Sequence, residues 1–298
     1  MPTRTRKYPK VNLLVLPAVI VVAIITQIPF FLTIALSFLK WIVVRPDMGI
    51  KLSGFDNYLK IFTNSTFYEV ILNTVFITAV SLLLCTILGI AFSLLLDRKI
   101  PGVNIVRTLI IAPFFVMDAV TGIIWKTLML HPSFGFNGFF ATLLHAKPID
   151  FLGVYSLLTV IILVVWQWTP FFILIILAGL QGISGEILES AKIDGANWFQ
   201  TLIFVKLPAI AGHIEVAVML GLVFILKIFG TIYVTTFGGP GYTSTNLPFL
   251  VYKTGFFEWN VGKASAIATV IVFLTLIAIT FLFKFIRSRF SRNEVMEG

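Results

Sequence analysis

Charge is scarce in this chain. Only 12% of its 298 residues are Asp, Glu, Lys or Arg, 58% are hydrophobic, and the mean hydropathy is +1.02. A soluble domain of this length needs far more polar surface to cover its core, so a soluble globular fold is excluded. Cysteine is nearly absent as well. Cys85 stands alone inside an apolar run, which rules out an intrachain disulfide and a thiolate metal cluster and leaves it the role of a small buried hydrophobe. The three histidines, His131, His145 and His213, lack metal-ligand spacing. No Gly-x-x-x-x-Gly-Lys-Ser/Thr is present to cradle a phosphate, and no Gly-x-Ser-x-Gly to expose a nucleophile. Neither ATP hydrolysis nor ester hydrolysis has its machinery here. No block of soluble composition interrupts the apolar runs, so residues 1–298 read as a single membrane domain.

What is abundant is long apolar sequence. Six stretches of about 20 residues or more qualify as membrane helices, because only a helix satisfies its own backbone in hydrocarbon. They are Val11–Leu39, Tyr68–Leu96, Ile105–Leu130, Ser156–Gln181, Leu207–Tyr233 and Ala264–Ile286. The expected fold is an all-α integral membrane protein with six transmembrane helices. Pro17 and Pro29 interrupt the first stretch and leave room for a kink. The fifth contains His213, Glu215 and Lys227, whose stripe must face protein or water rather than lipid.

The net charge of +9 would suggest nucleic acid in a soluble protein, but these basic residues flank apolar runs, where they face lipid headgroups and set orientation. With the N-terminus inside, 13 of the 22 Lys and Arg fall on the cytoplasmic side, and they concentrate at the two tails: Arg4, Arg6, Lys7 and Lys10 at one, Lys284, Arg287, Arg289 and Arg292 at the other. Both termini are therefore expected in the cytoplasm. The first stretch is too long for a signal-peptide core and no clear cleavage site follows it, so it reads as an uncleaved span.

The segment Gly182–Lys206, between the fourth and fifth spans, is the most informative. Gly182 and Gly185 end the preceding helix. Glu186–Lys192 forms a short amphipathic helix with Ile187, Leu188 and Ala191 toward one face, and Gly195 can take the left-handed conformation that ends it. A second helix begins near Asn197 and runs toward Pro208. From the physics alone this is a helix–turn–helix on the membrane surface, and an ordinary interfacial loop would look the same.

The residue pattern says more. Glu189-Ser190-Ala191, Gly195 four residues on, and Val205-x-Leu207-Pro208 resemble the signature loop of permease subunits of binding-protein-dependent ABC importers, Glu-Ala-Ala, three residues, Gly, nine residues, Ile-x-Leu-Pro. Ser190 and Val205 depart from it conservatively. Phe55-Asp56-Asn57-Tyr58, Asn73-Thr74, Trp166-Gln167 with Thr169-Pro170-Phe171, Ala178-Gly179-Leu180, Thr236-x-Gly238-Gly239-Pro240 and Gly262-x-Ala264-Ser265-Ala266 extend the resemblance to the carbohydrate-type, maltose permease-like branch over residues 12 to 286. That branch carries sugars, polyols and small glycosides.

The resemblance implies a multi-pass permease of the bacterial inner membrane that is not itself an enzyme. It implies a second permease subunit, an ATPase dimer holding the ATP and magnesium, and an extracytoplasmic solute-binding protein as partners. The loop becomes a cytoplasmic coupling helix that docks on the ATPase, with Glu189 as the polar contact. Ser190 and Ala191 allow close packing, and Asp194, Gly195, Leu207 and Pro208 shape the turn and the return into the membrane. A secondary transporter or channel acting without an ATPase is the alternative.

Ionisable residues at membrane depth are candidates for the substrate pathway. Counting about 1.5 Å per residue along straight helices puts Asp118 near the midplane of the third span and Lys227 toward the outer side of the fifth. Gln167 can hydrogen-bond hydroxyls, and Trp125, Trp166 and Tyr233 offer faces for a sugar ring. A structural ion pair or a contact with the second permease is the other reading of Asp118 and Lys227. Two departures bear on this. Asp118 stands where related permeases carry an apolar or small residue, and Phe229-Gly230 replaces their usual Phe-Asp. A lysine in the pathway would also suit an acidic sugar.

Overall fold

The computed structural model describes residues 15–98 and 101–294, with side chains as far as Lys284, Leu282 excepted. Arg4, Arg6, Lys7, Lys10 and Lys99, and the first residues of the expected first span, lie outside that range, as do the side chains of Arg287, Arg289 and Arg292. The elements are α1 (Leu16–Ser37), strands β1 (Leu39–Lys40) and β2 (Lys51–Leu52), α2 (Asp56–Phe62) and α3 (Ser65–Leu96). Then come α4 (Val103–Phe115), α5 (Asp118–Met129), α6 (Phe136–Leu143), α7 (Ser156–Gln181) and α8 (Gly185–Ile193). The last are α9 (Trp198–Ala209), α10 (Ala211–Ile225), α11 (Gly230–Val234), α12 (Leu247–Tyr252) and α13 (Val261–Glu294). The chain divides into two compact units, residues 1–63 with 251–270, and residues 64–250 with 271–298.

In the first unit α1 continues through Pro29, while Pro17 sits in the first turn, where no intrahelical N–H is required. The Phe55-Asp56-Asn57-Tyr58 motif braces the far end of this helix. Buried Asn57 donates from Nδ2 to the Ser37 and Leu39 carbonyls at 2.8 and 2.9 Å, and the Tyr58 hydroxyl meets Ser37 Oγ at 2.6 Å. The Ser37 carbonyl is one that a helix end leaves without an intrahelical partner, and Leu39 is the first residue of β1. Here the fold departs from all-α. Leu39 pairs with Leu52 and Lys40 with Lys51, antiparallel, and an isolated bridge joins Ile42 to Asn260. So short a ladder leaves no periodic signal in sequence. Gly262 is needed beside it, since a Cβ there would lie 1.9 Å from the Leu39 carbonyl oxygen.

The second unit is built on α3 against α7. On α3 the residues Ser81, Cys85, Gly89 and Ser93 recur every fourth position and are buried, a small-residue stripe that lets two backbones approach. Ser93 Oγ donates across to the Ile173 carbonyl at 3.2 Å. Phe172, fully buried, fills the junction of three helices: a Cβ on Gly89 of α3 would lie 2.7 Å from its Cβ, and one on Gly221 of α10 2.5 Å from its Cζ.

Among the described residues four helices are unbroken and apolar over a membrane's width: Leu16–Ser37, Ser65–Leu96, Ser156–Gln181 and Val261–Phe281. The expected third and fifth spans are not straight. Between α4 and α5 the chain bends by 105°, and between α9 and α10 by 62°. Pro113 lacks a donor N–H, and Val116 and Met117 take extended backbone, so the third span restarts at Asp118. In the fifth, Pro208 precedes a break at Ile210, and a second interruption over residues 226–229 separates α10 from α11. Counting rise along straight helices therefore fails for both Asp118, the first residue of α5, and Lys227, which falls inside a break.

Candidate functional site

The loop between α7 and α10 is a helix, a turn and a capped helix. Ser184 Oγ accepts the Ile187 N–H at the start of α8, and Lys192 lies in its last turn. Gly195 has φ +78 with nothing within 4 Å of where a Cβ would stand, so the backbone conformation alone demands glycine. The Gly195 and Ala196 N–H groups donate back to the Lys192 and Ala191 carbonyls. Asn197 and Gln200 then form a reciprocal capping box, 2.9 Å each way, that starts α9.

The side chains of this loop point largely outward. Glu189 and Ser190 are exposed, Ala191 is half-buried, and Glu189 has no ion-pair partner among the described residues. Asp194 is exposed and caps the end of α8, Leu207 is half-buried and Pro208 exposed. Ile187, expected on the inner face, is 52% exposed instead, and Trp198, Phe199 and Phe204 are also exposed. On α8 Leu188 and Ala191 are half-buried, and Ile187 does not share their burial. One ion pair fixes the loop to the bundle, Lys206 Nζ to Asp97 Oδ2 at 3.1 Å, with both side chains about three-quarters buried (22% and 23% exposed).

The two breaks meet. A Cβ on Gly230, the first residue of α11, would lie 2.8 Å from the Asp118 Cβ and 3.2 Å from the Ala119 nitrogen of α5. One turn further, a Cβ on Gly122 would lie 3.0 Å from the Val234 Cβ. Glycine on each helix allows this close approach.

The carbonyls freed at the breaks receive side-chain donors. Gln167 Nε2, on buried α7, donates to the Val116 carbonyl at 2.8 Å and to Asp118 Oδ1 at 2.9 Å. Asn246 Nδ2 donates to the Ile228 carbonyl at 2.7 Å, and Lys126 Nζ to the Val234 carbonyl at 3.0 Å. Asn246 and Lys126 were not singled out from sequence. Their partners lie 18 and 108 residues away, and no local pattern reports such a pairing.

The expected pathway residues fall into separate groups. Asp118 Oδ1 accepts from Gln167, and among the described residues no ion pair joins Asp118 and Lys227. Trp125 and Trp166 meet edge to face, centroids 5.6 Å apart, and both line an apolar groove of about 460 Å³ with Phe92 and Pro113. Exposed Lys227 holds its ammonium 5.0 Å over the Phe224 ring. Tyr233 stacks on Phe229 at 5.6 Å and is 40% exposed.

The Thr-x-Gly-Gly-Pro loop folds on itself and onto α3. Gly238 has φ +76, and its carbonyl accepts Thr245 Oγ1 at 2.8 Å. Ser244 Oγ donates to Thr236 Oγ1 and to the Gly239 carbonyl. From α3, Asn73 Nδ2 donates to the Tyr242 carbonyl at 2.8 Å, and Thr74 Oγ1 accepts the Leu247 N–H at 2.9 Å. Two motifs quoted above as separate pieces of sequence are thus the two halves of one clamp.

The described residues thus form a helical bundle in which interrupted spans meet beside a polar cluster, with an exposed helix–turn–helix between α7 and α10. The family model described as "Binding-protein-dependent transport system inner membrane component" matches residues 104–292, well over half of the chain, and the chain belongs to this family. It is 32% identical over 274 residues to the "Probable ABC transporter permease protein y4oQ" of Sinorhizobium fredii NGR234, covering 91% of this chain and 88% of that one. It is 31% identical over 268 residues to the trehalose/maltose transport system permease protein MalF of Thermococcus litoralis, covering 88% and 89%. Among solved structures, a chain of a bacterial ABC transporter involved in the import of the acidic polysaccharide alginate superposes with a TM-score of 0.78 at 22% identity, over 92% of this chain and 94% of that one, and so shares its fold.

Proposed function

We propose that the chain is the permease subunit of an ATP-driven importer that takes a sugar, polyol or small glycoside from a solute-binding protein across the inner membrane. In this reading each bent helix pair counts as one span, six in all, both termini are cytoplasmic, and the two compact units are parts of one transmembrane domain. A second permease subunit completes the pathway, and an ATPase dimer carries the ATP and magnesium. Segment Gly182–Lys206 is the cytoplasmic coupling loop.

The observation that carries the reading is the loop itself: an exposed acid at Glu189 on α8 without an ion-pair partner among the described residues, then a left-handed Gly195 past the end of that helix, followed by a capped helix leading back into the bundle. A rigid surface element with an unpaired charge and exposed Trp198, Phe199 and Phe204 beside it has the composition of a docking site for a partner with a basic groove. The relative named for trehalose and maltose transport supports the sugar class. Lys227 favours a second reading, an anionic sugar, because its exposed ammonium has no acid partner among the described residues.

Glu189→Lys tests the coupling role. Purified from membranes, the variant is expected to insert at the wild-type level, to lose the ATPase in pull-down, and to lose uptake. Uptake at the wild-type rate would refute the role of the loop.

A further inference from the structure

In the second unit α3 is a long, unbroken helix without proline. α3 runs 32 residues with Gly89 as its only glycine, capped by Asn64, whose side chain accepts the Thr66 N–H. Its neighbours bend by 105° and 62° or, like α7, carry a proline inside. Side-chain contacts tie α3 at its Leu96–Asp97 end to α9 and α4, and within the helix toward its other end to the loop that precedes α12. At Leu96–Asp97 the ties are the Lys206–Asp97 ion pair and Arg107 Nη2, which donates to the Leu96 carbonyl at 2.6 Å. About 24 residues away, roughly 35 Å along the axis at 1.5 Å per residue, Asn73 and Thr74 hold the loop that spans Tyr242, Thr245 and Leu247.

We infer that α3 is a transmission rod: displacement of the coupling loop is delivered through Lys206 to Asp97, carried along α3, and passed by Asn73 and Thr74 to the outer loop 236–247. This rests on the coupling-loop reading above. The ion pair has the properties a strut requires. It joins two elements 109 residues apart, it sits where side chains are mostly buried and so little screened by salt, and Lys206 immediately precedes the turn back into the membrane. The outer clamp is made of an amide and a hydroxyl on consecutive residues bonded to three backbone groups, so the loop follows α3 as a body. Asn246, in the same loop, holds the Ile228 carbonyl at the break of the fifth span. A shift of α3 therefore reaches the place where the interrupted spans meet.

The test uses the assembled transporter in proteoliposomes, with its ATPase dimer, second permease and binding protein. Lys206→Met is expected to retain the ATPase and its ATP turnover but to lower uptake about tenfold, the size of an ordinary inter-site coupling. The exchange of charges, Asp97→Lys with Lys206→Asp, is expected to restore most of the loss, and Lys206→Arg to leave uptake near wild type. A conformational readout separates transmission from mere structure. On a Cys85→Ala background, Thr243→Cys in the outer loop is labelled with a membrane-impermeant maleimide with and without ATP. The labelling rate is expected to change with ATP in the parent and to stop changing in Lys206→Met and in Asn73→Leu. Parental uptake and ATP-dependent labelling in Lys206→Met would overturn the rod. Loss of the ATPase from Lys206→Met would also overturn it, by placing that lysine at the docking surface, and would leave the coupling-loop reading standing. Retention of the ATPase and of uptake in Glu189→Lys would instead remove the coupling-loop reading, and the rod's input end with it.

Discussion

Adding one methyl group at position 230 asks whether the two interrupted spans meet as described. The Cβ of Gly230→Ala would stand 2.8 Å from the Asp118 Cβ, 3.2 Å from the Ala119 nitrogen and 3.5 Å from the Asp118 carbonyl carbon. Carbon atoms pack best at about 3.5–4.0 Å. The two closer than that are a Cβ fixed by its own backbone and a backbone nitrogen, neither of which can rotate away, so relief requires α5 and α11 to separate. Overpacking of this kind costs about 1–3 kcal/mol. Alanine loses less backbone entropy on folding than glycine, which returns about 0.5–1 kcal/mol, and Gly230 does not use a left-handed φ that alanine would resist. The net is a destabilisation of about 1–2 kcal/mol, a fall in thermal midpoint of about 2–8 °C at about 2–4 °C per kcal/mol. Asp118→Gly removes the nearest obstacle and leaves the Ala119 nitrogen, so in that background the same methyl group should cost less, a coupling of about 1 kcal/mol between the two positions. The measurement is the thermal midpoint of the four purified proteins in one detergent. An equal drop in both backgrounds would mean that α11 does not lie on Asp118, and the junction of the breaks would be wrong.

Asn57→Leu should be costly for its size. It leaves the Ser37 and Leu39 carbonyls without their donor, about 2–4 kcal/mol for two unsatisfied backbone acceptors, and an unchanged thermal midpoint would show that the brace at the end of α1 is dispensable. Lys253, outside the spans, has its pKa lowered from the ordinary lysine value of 10.5 by burial, partly offset by the Glu258 carboxylate. The unfolded chain then binds the proton more tightly than the folded one, so stability rises as pH climbs from the folded-state pKa toward 10.5. Lys253→Met removes that rise. Thermal midpoints measured between neutral and alkaline pH should diverge in favour of the parent, and parallel curves would contradict the burial.

Apolar length was readable because a span in hydrocarbon must be a helix, and the second, fourth and sixth stretches fold as unbroken helices. The close packing of α3 on α7 was also written in the sequence, in Ser81, Cys85, Gly89 and Ser93 at four-residue spacing, a signal as plain as any motif. Gly195 and Asn197 were legible for a local reason: a left-handed turn and a capping box involve residues within three positions of each other. The interruptions were not legible. Pro113 and Pro208 mark places where a hydrogen bond must fail, but the direction the chain takes afterwards depends on Gly230 meeting Asp118 more than 100 residues away. The motifs at Asn57 and Asn73 identified a resemblance without disclosing what their amides hold. For Asn73 the partners lie 169 and 172 residues along the chain.

Interrupting a membrane helix exposes backbone carbonyls that hydrocarbon cannot satisfy, and at two interruptions here a donor comes from elsewhere, Gln167 at Val116 and Asn246 at Ile228, while Lys126 reaches the Val234 carbonyl at the end of α11. This changes which polar residues are available to a passing solute. Gln167 donates both to a carbonyl and to Asp118, and replacing it would first loosen the break rather than remove a ligand. Asp118 is in a different position. One of its oxygens is held by Gln167, which fixes the carboxylate's direction, while the other has no protein partner among the described residues. Lys227 is likewise uncommitted to any acid. The polar groups in or beside the breaks thus separate by their hydrogen bonds into those that hold the broken backbone and those with capacity to spare. A search for substrate contacts belongs with the second set, at Asp118 and Lys227, and substitutions of the first set should be judged by stability before they are judged by transport.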